Sequence, residues 1–349
     1  MAFQVATSAK LMRVGVIGYG LAGRYFHAPL LQSAGFFIAA IASRSLEKRG
    51  EAHRDFPLAT ILASTEELVA EDLDLVVVAS TNEFHVEHAK LAIDAGIPVV
   101  VDKPVGRNYF ETLELFDYAD NRGVPVTAFF NRLFDSDTLT IQELIAANSI
   151  GELFRYESRF ERFRPEPNLD SWRESLNSAE GGGILLDLQT HLISIALHLF
   201  GPAELKYSSI RSVKNVSDDD VFLILKHESG LESHLSASSI SGAPGPRVRL
   251  LGRSGALICR ELDPQEAMLR SGLKPQEFGW QDKKAATSEF EIWKGEGAIN
   301  HPGVAGNYVE FYRRVKEALK ANSQMPVDRE FALAVARMID QAREWENFR

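Results

Sequence analysis

The feature that most constrains the fold is a set of three spaced glycines near the N-terminus. Gly18, Gly20 and Gly23 follow the apolar run Arg13–Gly18 and stand where an amphipathic segment begins. In a strand–turn–helix unit, the first glycine permits a tight turn, the second lets a ligand approach the backbone, and the third lets the helix pack closely on the strand. The spacing therefore predicts an α/β fold whose first turn holds the pyrophosphate of a dinucleotide at a helix N-terminus.

The rest of the first 130 residues repeats this alternation of apolar runs and amphipathic segments. The apolar runs show little polar alternation, as expected for strands buried on both faces of a parallel sheet. We predict strands at Arg13–Gly18, Phe36–Ala42, Ala59–Leu62, Leu75–Ala79, Val99–Asp102 and Pro125–Phe129. We predict helices at Leu21–Ala34, Leu46–Asp55, Thr65–Ala70, Phe84–Ala95 and Asn108–Arg122. Regular β-α alternation of this kind indicates a doubly wound Rossmann domain over residues 1–130.

After residue 130 the pattern changes to alternating runs in quick succession. This pattern predicts a C-terminal α+β domain over residues 131–349 with a large, mostly antiparallel open sheet. Its predicted helices are Thr138–Ala147, Ile184–Phe200, Val304–Ala321 and Arg329–Asn347. Its predicted strands are Leu153–Phe163, Phe222–His227, Glu232–Ser238 and Arg247–Leu251. We expect the last helix to pack back on the first domain. We also expect the open face of the sheet to bury against a second copy, in a homodimer or homotetramer.

Composition narrows the class of function. The chain has 38 Lys and Arg against 48 Asp and Glu, a net charge of −10, which disfavours nucleic acid and anionic membranes as partners. A lone cysteine, Cys259, excludes an intrachain disulfide and a cysteine-based zinc site, and we expect it in the core. The first ten residues do not resemble a signal peptide, and no apolar run is long enough to span a membrane. We therefore expect a cytoplasmic protein.

The end of the second predicted strand distinguishes between dinucleotides. An NAD site usually has an acidic residue there to bind the ribose 2′-hydroxyl. Here Ser43 and Arg44 follow the strand, and the first acid is Glu47. A serine hydroxyl and a guanidinium bind a 2′-phosphate, so the sequence favours NADP over NAD. The predicted cofactor-binding residues of these two segments are Gly18, Tyr19, Gly20, Leu21, Ala22, Gly23, Ser43 and Arg44.

Several further motifs carry a family resemblance over nearly the whole chain. Besides the glycine loop they are Ser-Thr-Asn-Glu-Phe-His at 80–85, Asp-Lys-Pro at 102–104 and Asp-Leu-Gln-Thr-His at 187–191. In their order the chain resembles the Gfo/Idh/MocA oxidoreductases, and within them the NADP-dependent scyllo-inositol dehydrogenases. The resemblance implies a catalytic role for Lys103. It also implies that Ser80, Thr81, Asn82, His85, Asp102 and Lys103 contact the cofactor.

Position and spacing in the sequence indicate which residues could take part in the reaction. Lys103 is predicted at the carboxyl end of a strand, where it can stabilise negative charge on a reacting oxygen. Asp187 and His191 are four residues apart on a predicted helix and therefore share one face. We expect His191 to exchange the hydroxyl proton and Asp187 to orient the reacting groups. Although His198 lies near the same face, we expect no metal, since His198 is two turns from Asp187.

Other polar residues are candidates for the substrate side. Arg162, Arg164 and Trp172 precede the predicted catalytic helix, and their side chains could bind hydroxyls or a carboxylate. Asn131 and Tyr308 complete the predicted substrate-binding set. By contrast, the acidic run at 218–220 lacks the glycine and distal glutamate of a calcium loop, and we expect a solvated turn.

Together these features predict an NADP-dependent oxidoreductase that interconverts a secondary alcohol and a ketone on a cyclic polyol or sugar. An inositol is the first candidate substrate. Three alternatives stay open at this point: an NAD(P)-dependent aldose 1-dehydrogenase, a non-catalytic dinucleotide-binding sensor, and a transferase-like relative that keeps its cofactor bound through the cycle, as some glycosidases of the family do. The presence of Lys103, Asp187 and His191 favours an enzyme.

Overall fold

The N-terminal half is built on six parallel strands in the order β3-β2-β1-β4-β5-β6. A computed structural model of the chain describes residues 11–177, 180–275, 277, 280, 288–295 and 297–345. The strands are β1 Arg13–Ile17, β2 Phe37–Ala42, β3 Thr60–Leu62, β4 Leu75–Val78, β5 Val99–Asp102 and β6 Val126–Phe129. In the central register, Val16 pairs with Ile41 on one side and Val77 on the other. The predicted Rossmann-type sheet is therefore confirmed.

Helices α1 Ala28–Ser33, α2 Leu46–Asp55, α3 Thr65–Val69, α4 His85–Asp94 and α5 Tyr109–Asp120 follow strands of this sheet. The first differs from the predicted continuous helix, because a π-helical turn, Gly23–His27, precedes α1. There the Ala28 N–H binds the carbonyl of Gly23, five residues back. Pro29 explains the wider turn, since its ring would meet the carbonyl of Tyr25 in a regular α-helix.

The second half contains an eight-stranded sheet in the order β14-β13-β12-β11-β7-β10-β9-β8. Its strands are β7 Leu153–Glu161, β8 Ala203–Arg211, β9 Asp220–His227, β10 Glu232–Ser238, β11 Val248–Gly252, β12 Gly255–Cys259, β13 Glu289–Lys294 and β14 Gly297–Pro302. Within this sheet β7 and β10 pair in parallel, and the other neighbouring pairs are antiparallel. The predicted mostly antiparallel sheet is confirmed, although β7 ends two residues before the predicted Phe163.

One face of this sheet is covered by helices. This half contains the helices α6 Ser136–Ala146, the short α7 Trp172–Ser175, α8 Thr190–Phe200 and α9 Gln265–Arg270, of which α8 packs against β7 and β10. Along β9, Val221, Leu223 and Leu225 are buried and alternate with half-buried residues. This alternation gives the sheet one apolar face, which packs against the helical layer. Cys259 is buried, as predicted.

Two C-terminal helices, α10 Val309–Ala321 and α11 Arg329–Glu344, return to the first domain. In α10, the Tyr312 hydroxyl lies 2.5 Å from Nδ1 of His27. At the start of α11, Arg329 donates to the carboxylate of Asp117 in α5 at 2.6 Å. The last two residues of the predicted helix, 346 and 347, lie outside the described residues. None of the helices in the described part of the chain is both long enough and apolar enough to cross a membrane.

Candidate active site

A cleft of about 390 Å³ lies along the carboxyl edge of the parallel sheet. The loops after β1, β2, β3, β4 and β5 form most of its walls, because parallel strands bring their carboxyl ends to one edge. Of the predicted residues, those that line it are Gly18, Tyr19, Gly20, Leu21, Ala22, Ser43, Arg44, Ser80, Thr81, Asn82, Asp102, Lys103, Trp172 and Asp187. The structure thus gathers most of the predicted cofactor segments at one site.

The glycine loop has the geometry that binding of a dinucleotide requires. Gly18 has a φ of +94°, and a Cβ there would lie 2.5 Å from the carbonyl oxygen of Ala79. At Gly23 a Cβ would lie 2.0 Å from the Gly18 oxygen, so the glycine allows the close packing of helix on strand. By contrast, a Cβ at Gly20 would meet nothing within 4 Å, and this backbone faces the cleft. These residues fit a pyrophosphate at Gly20.

The loop after β2 presents one cation, Arg44, to the cleft. The guanidinium of Arg44 stacks over the ring of Phe84 at 4.3 Å, and His88 stacks on the same ring at 5.5 Å. Arg49 in α2 donates to the carbonyl oxygens of Ser43 at 2.8 Å and Arg44 at 3.1 Å. These hydrogen bonds from Arg49 hold the backbone of the loop, while the Arg44 side chain stays exposed to the cleft.

Several residues that line this end of the cleft were not predicted from the sequence. Ser64, Thr65 and Glu66 line it, and Phe84 supports Arg44. Ser64 and Glu67 form a reciprocal capping box at the start of α3. The helix start at Thr65 was predicted, but its place in the cleft was not, because that depends on how β3 pairs beside β2.

The reacting end of the cleft contains a close ion pair. Nζ of Lys103 donates to the carboxylate of Asp187 at 2.8 Å and to the Asp187 backbone oxygen at 2.7 Å. Nε of Arg173 lies 3.5 Å from the same carboxylate, and its guanidinium stacks over Trp172 at 4.4 Å. Lys103 directly follows β5, whereas Asp187 sits in a π-helical turn, Leu185–Gln189, just before α8. The site is therefore formed by both domains.

The charges around this pair set the protonation states. Burial raises the pKa of the Asp187 carboxyl, but Lys103, Arg173 and Arg162 outweigh it and hold the pKa well below the ordinary value. Burial, followed by repulsion from Lys103 and other cations, lowers the pKa of His191 well below its usual range. At neutral pH the site therefore holds a carboxylate and a neutral imidazole, which can accept a proton.

His191 packs near the ring of Phe160, which also contacts two arginine side chains. Its ring is 6.0 Å from the ring of Phe160, and the guanidinium groups of Arg132 and Arg247 lie 4.9 and 4.0 Å from that ring. Both cations contribute to the lowered pKa of His191. Nδ1 of His191 is buried without a hydrogen-bond partner among the described residues.

Other predicted residues, including His191 and Gly23, lie outside the lining of the cleft. His85 is buried, with Nδ1 2.7 Å from the carbonyl oxygen of Pro104 and Nε2 3.1 Å from that of Ser80. It therefore links the loop after β4 to the loop after β5. Arg162 is half-buried near Asp187, whereas Arg164 is exposed. Asn131, next to Arg132, is buried.

Tyr308 is placed one layer behind the site. It is fully buried, donates to the Asp135 carboxylate at 2.6 Å and accepts from Arg132 at 3.4 Å. His198 lies 2.8 Å from the Gln142 amide and against Phe331. Within the ranges that the structure describes, no cluster of three or more His, Cys, Asp or Glu side chains could hold a metal ion.

The expectation of a solvated turn at the acidic run was wrong. Asp218 and Asp219 are buried, because each carboxylate caps backbone N–H groups. Asp218 accepts from Leu185 at 2.6 Å, and Asp219 accepts from Val213 and Lys214 at 2.8 and 2.7 Å. Only the third acid, Asp220, reaches partial exposure.

Comparison with protein-family models gives two adjacent matches. Residues 12–130 match the model described as an oxidoreductase family with an NAD-binding Rossmann fold, GFO_IDH_MocA. Residues 142–346 match the C-terminal alpha/beta domain of the same oxidoreductase family. The two matches together cover most of the chain.

Individual relatives give the same result. The chain is 32% identical to scyllo-inositol 2-dehydrogenase (NADP(+)) IolW of Bacillus subtilis, over 95% of this chain and 93% of that protein. It is 27% identical to D-xylose 1-dehydrogenase (NADP(+)) 2 of Haloferax volcanii, over 65% and 69% of the two chains. The solved structure of the putative oxidoreductase yvaA from Bacillus subtilis superposes with a TM-score of 0.87 at 32% identity, over 97% and 96%.

Proposed function

Because the chain belongs to the Gfo/Idh/MocA oxidoreductase family, we propose that it is an NADP-dependent dehydrogenase of a cyclic polyol, with an inositol as the first candidate substrate. The reaction interconverts a secondary alcohol and a ketone. The main support is the ion pair of Lys103 and Asp187 at the end of a dinucleotide cleft, together with the buried His191 one turn further along, whose pKa the Lys103 charge lowers. The similarity to an NADP-dependent scyllo-inositol dehydrogenase supports the substrate class.

Lys103, Asp187 and His191 have different roles in the oxidation of an alcohol. Bound nicotinamide supplies the hydride acceptor for the carbon. His191, neutral at pH 7 because its pKa is lowered, accepts the hydroxyl proton. Lys103 donates a hydrogen bond to the reacting oxygen and stabilises the negative charge that develops as the proton leaves. Asp187 remains ionised and holds the Lys103 ammonium through two hydrogen bonds to one residue.

The β2 end supports NADP as the cofactor. Ser43 and Arg44 line the cleft, and Arg49 fixes both of their carbonyl groups. A 2′-phosphate on this loop would meet a serine hydroxyl, an exposed guanidinium and the N-terminus of α2. The loop places no carboxylate at the position where an NAD site binds the ribose hydroxyl.

The test is initial-rate measurement at 340 nm with NADP and with NAD. The substrates are scyllo-inositol, myo-inositol, D-xylose and D-glucose. The proposal predicts turnover of an inositol with NADP, at a kcat/KM at least ten times that of any aldose. Turnover confined to aldoses would replace it with an aldose 1-dehydrogenase, the activity named for the Haloferax volcanii relative. Binding of NADPH without turnover of any of these would favour a sensor.

A further inference from the structure

The turn that carries Asp187 is fastened to the large sheet at both ends. At its first residue, the Leu185 N–H donates to Oδ2 of Asp218 at 2.6 Å. At its last residue, the Gln189 amide donates to the carbonyl oxygens of Val221 and Leu235, each at 3.1 Å. Asp218 and Val221 flank the start of β9, so the same short stretch of chain binds both ends of the turn.

Asp218 fits this position through shape as well as hydrogen bonding. Its backbone oxygen accepts from the Ile184 N–H at 3.0 Å, next to the bond from its carboxylate to Leu185. Gly183, with a φ of +82°, has no Cβ, and an added Cβ would lie 1.9 Å from Oδ1 of Asp218. The glycine therefore makes room for the carboxylate directly before the catalytic turn. An acid at the first N–H groups of a helical segment also complements their partial positive charge.

We propose that Asp218 is a positioning residue for the reaction: it fixes the turn Leu185–Gln189 so that Asp187 meets Lys103. The inference rests on the proposed function for its kinetic part. Only three residues separate the two anchored ends, Leu185 and Gln189. Loss of the Asp218 anchor frees the N-terminal end of the turn, and Asp187 lies two residues from it. Small displacements of a group that orients the reacting atoms cost about 10- to 100-fold in rate.

Asp218→Ala removes the anchor, and Asp218→Asn keeps an oxygen that can accept from Leu185. We expect Asp218→Ala to lower kcat at least tenfold, with the KM for NADP changed less than about twofold, and Asp218→Asn to retain most of kcat. Asp219→Ala is the matched control, because it removes an equally buried carboxylate that caps residues 213 and 214 instead. A general loss of stability would affect both alanine variants, whereas loss of positioning affects only Asp218→Ala.

One measurement keeps the inference separate from the substrate assignment. Hydrogen–deuterium exchange needs no substrate: Asp218→Ala should speed exchange at residues 184–191, and Asp219→Ala at residues 213–214. Unchanged exchange at 184–191 would overturn the inference, even if the wild type oxidises inositol. If exchange rises but the wild type oxidises none of the tested alcohols, the anchor stands and the proposed function fails.

The kinetic part is tested in an Asp187→Asn background. There Asp218→Ala should lower kcat less than it does in the wild type, because the part of its effect that passes through the Asp187 carboxylate is already lost. A full tenfold loss in that background would overturn the assigned route. Should Asp218→Ala fail to fold, Gln189→Met removes the anchor at the other end of the turn. Like Asp218→Ala, it should lower kcat and leave the KM for NADP unchanged.

Discussion

Replacement of Arg44 by alanine tests how the chain selects its dinucleotide. The Arg44 guanidinium is exposed to the cleft and is oriented by the Phe84 ring at 4.3 Å. A charge-assisted hydrogen bond contributes about 1.5–3 kcal/mol to binding, and solvent exposure places Arg44 at the low end of this range. A loss of about 1.5 kcal/mol corresponds to a roughly tenfold higher Kd for NADPH. Ser43 and the α2 N-terminus remain, so binding is weakened and not abolished.

The assay is fluorescence titration of the variant with NADPH and with NADH. NADH lacks the 2′-phosphate, so its Kd should change less than about threefold, and the preference for NADPH should fall roughly tenfold. Arg54→Ala is the control, because Arg54 lies in the last turn of the same helix, α2. Equal weakening of NADPH and NADH would refute the reasoning, since Arg44 would then act on the shared adenosine half. An unchanged Kd for NADPH would refute it as well.

Two other predictions concern the imidazole and the glycine loop. The pKa of His191 is lowered, so the neutral base persists below the ordinary value of 6.5 and is lost only as the pH falls through the lowered pKa. The acid limb of kcat/KM for alcohol oxidation should therefore lie below pH 6.5, and a limb at or above pH 7 would contradict this assignment. Gly23→Ala should lower stability by about 1–3 kcal/mol, because its Cβ would lie 2.0 Å from a backbone oxygen. Gly20→Ala has free space, so thermal unfolding should be unchanged while NADPH titration shows weaker binding.

The parallel sheet was predictable because its signals are local. Each strand is a short apolar run, and the turn after β1 needs glycine for reasons that the backbone itself sets. The predicted strand bounds agree with the structure to within a residue or so at each end. The π-helical turn Gly23–His27 was missed, although Pro29 marked the place where a regular helix would be disturbed.

The parts that were missed depend on contacts between distant segments. The acidic run at 218–220 reads as polar and exposed, yet Asp218 is buried because Leu185, 33 residues away, donates to it. Tyr308 was predicted to bind substrate, and the structure places it behind Arg132, against Asp135. Residue type and spacing cannot show which of two polar groups faces a cleft and which faces a buried partner.

The central claim is that Lys103 acts on the reacting oxygen, and the Lys103→Ala variant tests it most directly. The measurement is kcat/KM for inositol oxidation with NADP at 340 nm, beside Lys90→Ala, whose lysine pairs with Glu114 on the surface. Loss of a donor to a developing oxyanion lowers the rate by about 10²- to 10³-fold. We expect a loss in that range for Lys103→Ala and less than about twofold for Lys90→Ala. A loss of less than tenfold at Lys103 would contradict the account.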